Sequence, residues 1–300
     1  MRGSEIGIMT LSSMSKPRLK KFVRAEVADP LRLQPRDIDL LRSVGEFRFL
    51  NTPQILALHK GGKRNLLRRL SSLFQHGYLD RPESQTSARL LSAHMVYALG
   101  RKGAELLSKD AEEREGIYRR VREAERTLPI IAHSQMISQF RICLTLAKQE
   151  SGAKILRWSQ GQELKEMLRK VLGENPALVP DAFFTILHDG DEINFFLEAD
   201  RGTMDTARFV NKLKIYWSWK SNDRLKEKLR LSRFRVLTLT PSKGRSDSLR
   251  NAGKSGDPAG TGSLMFLFAP ETEYSLATAK KILEPVWKSP KDETPHSILE

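Results

Sequence analysis

Residues 179–203 read VPDAFFTILHDGDEINFFLEADRGT, and this stretch decides the architecture of the second half of the chain. Ala182, Phe183, Phe184, Ile186 and Leu187 form one apolar run, and Ile193, Phe195, Phe196 and Leu197 form another. Between them, His188-Asp189-Gly190-Asp191-Glu192 is hairpin-turn material, because Asp and Gly accept the positive φ that tight turns demand. The reading is a pair of antiparallel strands. Asp181 opens the first, while Glu198 and Asp200 close the second, so pairing brings three carboxylates to one end of a sheet. Hard carboxylate oxygens in that layout suit a phosphodiester site assisted by Mg²⁺ or Mn²⁺, with Asp181 and Glu198 as metal ligands. Two buried strands that merely end in solvated acids give the same pattern. Spacing leaves both open.

Outward from the hairpin, the pattern extends to a mixed α/β domain. Upstream, IIAHSQMISQFRICLTLAKQ carries Ile130, Ile137, Phe140, Leu144 and Ala147 at three- and four-residue steps, which predicts an amphipathic helix. KILRWSQ reads as a strand and GQELKEMLRKVLG as a loop with a short helix. Downstream, TARFVNKLKIYWSWK reads as a helix, FRVLTLT as a strand, RSDSLRNAG as a short helix and SLMFLFAP as the last strand. A strand meander followed by helical crossovers gives a mixed sheet with helices on both faces. His133 has no second histidine at ligand spacing, so it reads as a packed, hydrogen-bonded side chain. Trp217 and Trp219, beside Tyr216, read as core.

The first half reads differently. Pro35 begins a helix with Ile38, Leu41 and Val44 on one face, and Asn51-Thr52-Pro53 caps a second. A third, KRNLLRRLSSLFQHG, places Leu66, Leu70, Leu73 and Phe74 at helical spacing and stops at Gly77. YLDRPES and HMVYALG then read as two strands around a polar loop, and a fourth helix runs from Arg101 to about Glu115. Three helices, a hairpin and a helix is the order of a winged helix-turn-helix, whose third helix enters the major groove. Lys63, Arg64, Asn65, Arg68 and Arg69 lie along that helix, and Arg81 and Arg89 fall on the wing, so these seven are the candidate DNA contacts. A winged helix used only to hold another protein would carry the same arginines.

Composition agrees with a polyanionic partner. The 300 residues carry a net charge of +15, and an excess of that size favours double-stranded DNA. No run approaches the roughly 18 apolar residues that span a bilayer. The single cysteine, Cys143, excludes an internal disulfide, and the natural compartment is the cytoplasm. A Walker sequence is missing, as is a histidine cluster of the relaxase type, so no nucleotide or organic cofactor is expected. The expected organisation is a flexible basic arm over 1–30, a winged helix over 31–115 and a helical connector over 116–129. A mixed-sheet domain over 130–288 and a frayed tail over 289–300 complete it.

Several segments in this order resemble the replication-relaxation family: LLRRLSSLFQHGYLDR, VYALGRKGAELL, the AHS histidine, VPDAFF, FFLEADRGT and KLKIY. The resemblance implies a DNA-binding protein of plasmid or mobile-element replication, relaxation or regulation. The second half is also similar to PD-(D/E)xK nucleases, which implies a restriction-endonuclease-like sheet. In that pattern Asp181 and Glu198 match the two metal-binding acids, but Asp200 stands where the water-activating lysine belongs. Lys212 or Lys214, on the helix that follows, is placed to reach back in its stead, and we take Lys214 as the catalytic candidate beside Asp181, Glu198 and Asp200. The expectation is a weakly active or inactive nuclease-like domain; the alternative is a Mg²⁺-dependent endonuclease or nickase. A second copy of the chain, or a replication or mobilisation protein, is the expected protein partner.

Overall fold

The computed structural model describes residues 21–26, 30–86, 94–111, 113–117, 128–231 and 233–300. Its first half runs α1 (Pro35–Phe47), β1 (Leu50–Asn51), α2 (Thr52–Leu58), α3 (Lys63–Gln75), β2 (Leu79–Asp80), β3 (Val96–Leu99) and α4 (Arg101–Leu107). The polar Asn51-Thr52-Pro53 run starts α2 through a reciprocal cap. Asn51 Oδ1 accepts from the Gln54 amide at 3.0 Å, and Gln54 Oε1 accepts from the Asn51 amide at 2.9 Å. Leu66, Leu70, Leu73 and Phe74 of α3 pack into one core with Leu40, Leu41 and Val44 of α1. β3 lies between β1 and β2, antiparallel to both, so three strands form where two were expected. At Gly100 an added Cβ would stand 2.4 Å from the Gly77 carbonyl oxygen; only glycine lets α4 close onto the end of α3.

The second half runs α5 (Leu128–Ser151), β4 (Lys154–Gln160), α6 (Gly161–Leu172), β5 (Ala182–His188), β6 (Asp191–Ala199), α7 (Thr206–Trp219) and α8 (Asp223–Leu229). It continues with β7 (Phe234–Thr240), α9 (Lys243–Ala252), β8 (Phe266–Pro270), β9 (Trp287–Lys288) and β10 (Pro295–His296). The seven strands lie in the order β10-β9-β8-β7-β6-β5-β4. β6, β7 and β8 are parallel to one another, and the outer pairings are antiparallel. The β5–β6 hairpin turns at Asp189 and Gly190, with φ of 50° and 91°, and pairs His188 with Asp191. Strand alternation then sorts the phenylalanines. Phe184 and Phe195 face α5, whereas Phe183 and Phe196 face α6, α7 and α8.

Helix α5 serves both halves. Phe140, Cys143 and Leu144 pack on the sheet, while Ile142 packs into the core of the first half. Gln135 Nε2 also donates to the Phe49 carbonyl at 2.8 Å. The expected boundary near residue 130 is therefore bridged by one helix with two apolar faces.

Other expectations change with the tertiary contacts. The tail 289–300 is packed, not frayed: β10 pairs with β9, Ile298 is fully buried, and Ser297 Oγ donates to the Leu283 carbonyl at 2.6 Å. Residues 1–20 and 27–29 of the expected arm lie outside the described residues, but Arg24 is docked, donating to the Phe74 carbonyl at 2.9 Å and pairing with Asp80. The fourth helix stops at Leu107, because Ser108 turns extended, with φ −77° and ψ 147°. Residues 161–172 form a full helix, and α8 adds a helix beyond those expected. Most of the expected connector, 118–127, lies outside the described residues. No helix among the described residues is long and apolar enough to cross a membrane.

Candidate functional site

Two places collect the sequence-predicted residues. On α3, the apolar face is spent on the core, and the opposite face leaves Lys63, Arg64, Asn65 and Arg68 exposed. Arg69 turns the other way. Its Nε donates to Asp37 Oδ1 at 2.9 Å, its Nη2 pairs with Asp37 Oδ2 and also reaches the Arg32 carbonyl at 3.1 Å. Asp37 is fully buried on α1, so Arg69 neutralises an interior carboxylate and is corrected from surface contact to structural tie. Arg81 is half-buried, with its guanidinium 4.1 Å from the centre of the Phe74 ring and 5.3 Å from that of Tyr97. Arg89 lies in 87–93, outside the described residues.

The second place is the end of the sheet where β5 begins and β6 ends. Asp181 Oδ2 accepts from the Ala199 amide at 2.8 Å and lies 3.1 Å from His133 Nε2 on α5. Glu198, nearly fully buried, is held by α7. Its Oε2 accepts from Lys212 Nζ and its Oε1 from the Tyr216 hydroxyl, each at 2.6 Å. Lys212 and Tyr216 are one helical turn apart on α7, so both side chains meet the same carboxylate. Burial raises the Glu198 carboxyl above its ordinary range, and the charge of Asp181 adds to this, against Lys212 and Tyr216. Tyr216 is pushed well up by its own burial and by Glu198. At His133, burial opposes the proton, but the hydrogen bond and charge of Asp181, aided by Glu198, outweigh it, so its pKa rises.

Asp200 does not join this group. Past the end of β6 the chain turns, and Asp200 Oδ2 accepts from Arg245 Nε of α9 at 2.7 Å while Oδ1 caps the Gly202 amide at 2.9 Å. The expected convergence of three carboxylates is thus corrected to a pair plus a separate ion pair. Among the described residues no three His, Cys, Asp or Glu side chains are placed to hold a metal ion. The residues fit a bound Mg²⁺ poorly as arranged, because both Glu198 oxygens and Asp181 Oδ2 already accept from protein donors. Lys214 is also corrected. Phe209, Leu213 and Tyr216 set the buried face of α7, which brings Lys212 inward and leaves Lys214 exposed. His133, read from the sequence as a packed, hydrogen-bonded side chain, has Asp181 as its partner; both line a cleft of about 670 Å³ that α1, α5 and the β4–α6 turn border. The only sequence signal for that pairing is the histidine near the start of an amphipathic helix. Trp219 is buried in the core.

The sequence model of the replication-relaxation family matches residues 41–228, well over half of the chain, from within α1 into α8. The chain belongs to the replication-relaxation family. The family match contains α3 and the whole Asp181–Glu198–Lys212 group, and so both candidate places lie in what the replication-relaxation proteins share at the level of the family model. Membership points to a role in the replication or relaxation of plasmids or other mobile elements. No curated protein and no solved structure matches the chain.

Proposed function

We propose that this replication-relaxation protein binds duplex DNA through a winged helix-turn-helix made by α1 to α4 and the β1–β3–β2 sheet. The observation that carries the reading is the face of α3: Lys63, Arg64, Asn65 and Arg68 are exposed together while Leu66, Leu70 and Leu73 anchor the helix from beneath. A rigid helix with that face supplies phosphate contacts and base-edge donors at once. The net charge of +15 supports the same partner. The second half acts as a nuclease-like scaffold in which the Lys212 ammonium neutralises the buried Glu198 carboxylate. The alternative, a Mg²⁺-dependent endonuclease using Asp181 and Glu198, would first have to release those oxygens from His133, Lys212 and Tyr216.

The test is duplex binding by Arg64→Ala/Arg68→Ala across a range of salt. Removing one arginine from a phosphate should flatten the salt slope by about 0.9, with a marked fall in affinity. Unchanged affinity and slope in the folded double variant would overturn the reading.

A further inference from the structure

Residues 220–235, KSNDRLKEKLRLSRFR, hold seven Lys and Arg against two acids. Helix α8 spends Leu225 and Leu229 on the core and leaves Lys220, Arg224, Lys228, Arg230 and Arg233 exposed around it. A cleft of about 430 Å³ opens beside this segment, at the end of the sheet where β6 and β7 begin. That end is opposite to the one holding Asp181 and Glu198. Lys220, Lys226, Arg233 and Arg235 line the cleft over Phe234 and Met265, and Glu300 is the single acid among the described lining residues.

These cations are poorly served by their own chain. Arg235 Nη1 is buried with no hydrogen-bond partner among the described residues. Among the described residues, Lys226 has an exposed contact with Asp223 at 3.5 Å, and Lys220 lies 4.6 Å from the centre of the Trp217 ring. Burial and then the charge of Arg233 both disfavour the charged form of Arg235, which Glu300 only partly offsets. An anion brought to the rim would relieve that repulsion.

We propose that this basic cleft is a second nucleic-acid contact, gripping the phosphodiester backbone independently of α3. The proposal rests on the DNA-binding reading. Such contacts hold and orient the nucleic acid without reading its sequence.

The experiment is fluorescence anisotropy with a labelled random-sequence duplex and the matching single strand, over a range of salt. Lys226→Gln/Arg233→Gln is compared with wild type, with Arg64→Ala/Arg68→Ala and with the combined variant. The cleft variant should bind roughly tenfold more weakly, with a salt slope shallower by about 2. Its effect should add to that of the α3 variant, and Arg233→Lys should bind as wild type. Weakened binding of duplex, of single strand or of both supports the contact and identifies the form it holds. Should Lys226→Gln/Arg233→Gln lower the melting temperature, the exposed pair Lys220→Gln/Arg224→Gln repeats the test. Wild-type binding by the folded cleft variants beside a weakened α3 variant would overturn the second contact and leave the α3 reading standing. Wild-type binding by both sets would overturn both.

Discussion

Lys212 shows what a single side chain decides at the carboxylate end of the sheet. It sets its ammonium 2.6 Å from Glu198 Oε2, beside a second acid that also presses on Glu198. Lys212→Met should cost about 3 kcal/mol, the usual scale for leaving a buried charge without its partner. The deficit should depend on pH in a definite direction. Glu198 already lies above its ordinary carboxyl range, and losing Lys212 raises it further. The folded variant then binds a proton more readily than the unfolded chain, so its stability falls as pH rises through the folded value. Melting temperatures of variant and wild type should therefore differ least near pH 5 and most near pH 8. An equal gap at both would mean that Glu198 is not the group Lys212 neutralises. The candidate acids are legible as residues, since position along a strand marks them. Which cation each meets is not: Asp200 and Arg245 are 45 residues apart, and His133 and Asp181 are 48.

Helix α3 separates its five polar candidates by helical phase. Arg64 and Arg68 sit one turn apart on the exposed face, whereas Arg69, one step further, turns to Asp37 of α1. Arg69→Ala should destabilise the protein by about 3–5 kcal/mol, because it strands a buried carboxylate. Arg64→Ala and Arg68→Ala should stay within about 0.5 kcal/mol of wild type, as exposed substitutions do. Thermal melts of the three variants check this. An Arg69→Ala protein that melts like wild type but no longer binds DNA would restore Arg69 as a DNA contact. The apolar spacing is enough to place α3 itself, since i, i+3 and i+4 steps are a local property. It is not enough to sort Arg68 from Arg69, because Asp37 is brought there only by the packing of α1.

On the scale of the whole molecule, α5 and the C-terminal segment make one body of what the sequence divides into pieces. α5 buries Ile142 in one core and Phe140 in the other, and β9 and β10 extend the sheet beyond β8. Ile298 is fully buried against the same layer as Trp287. Ile298→Ala should therefore cost about 2–5 kcal/mol, the range for deleting a packed aliphatic side chain. Urea unfolding measures it as a lowered midpoint with an unchanged slope. A frayed tail would show no shift.

Local patterns in the chain suffice for the β5–β6 hairpin, the three N-terminal helices and the helical crossovers to β7 and β8. Alternation, helical spacing and the chemistry of Asn51-Thr52-Pro53 and Asp189-Gly190 act over a few residues and need no distant partner. Only the folded arrangement settles that Lys212, not Lys214, meets Glu198, that Asp200 leaves for Arg245, and that His133 meets Asp181. A charged or polar side chain exposes the same pattern to the reader whether it faces water or a partner. The cost of burying it unpaired is set by groups the fold brings from elsewhere in the chain.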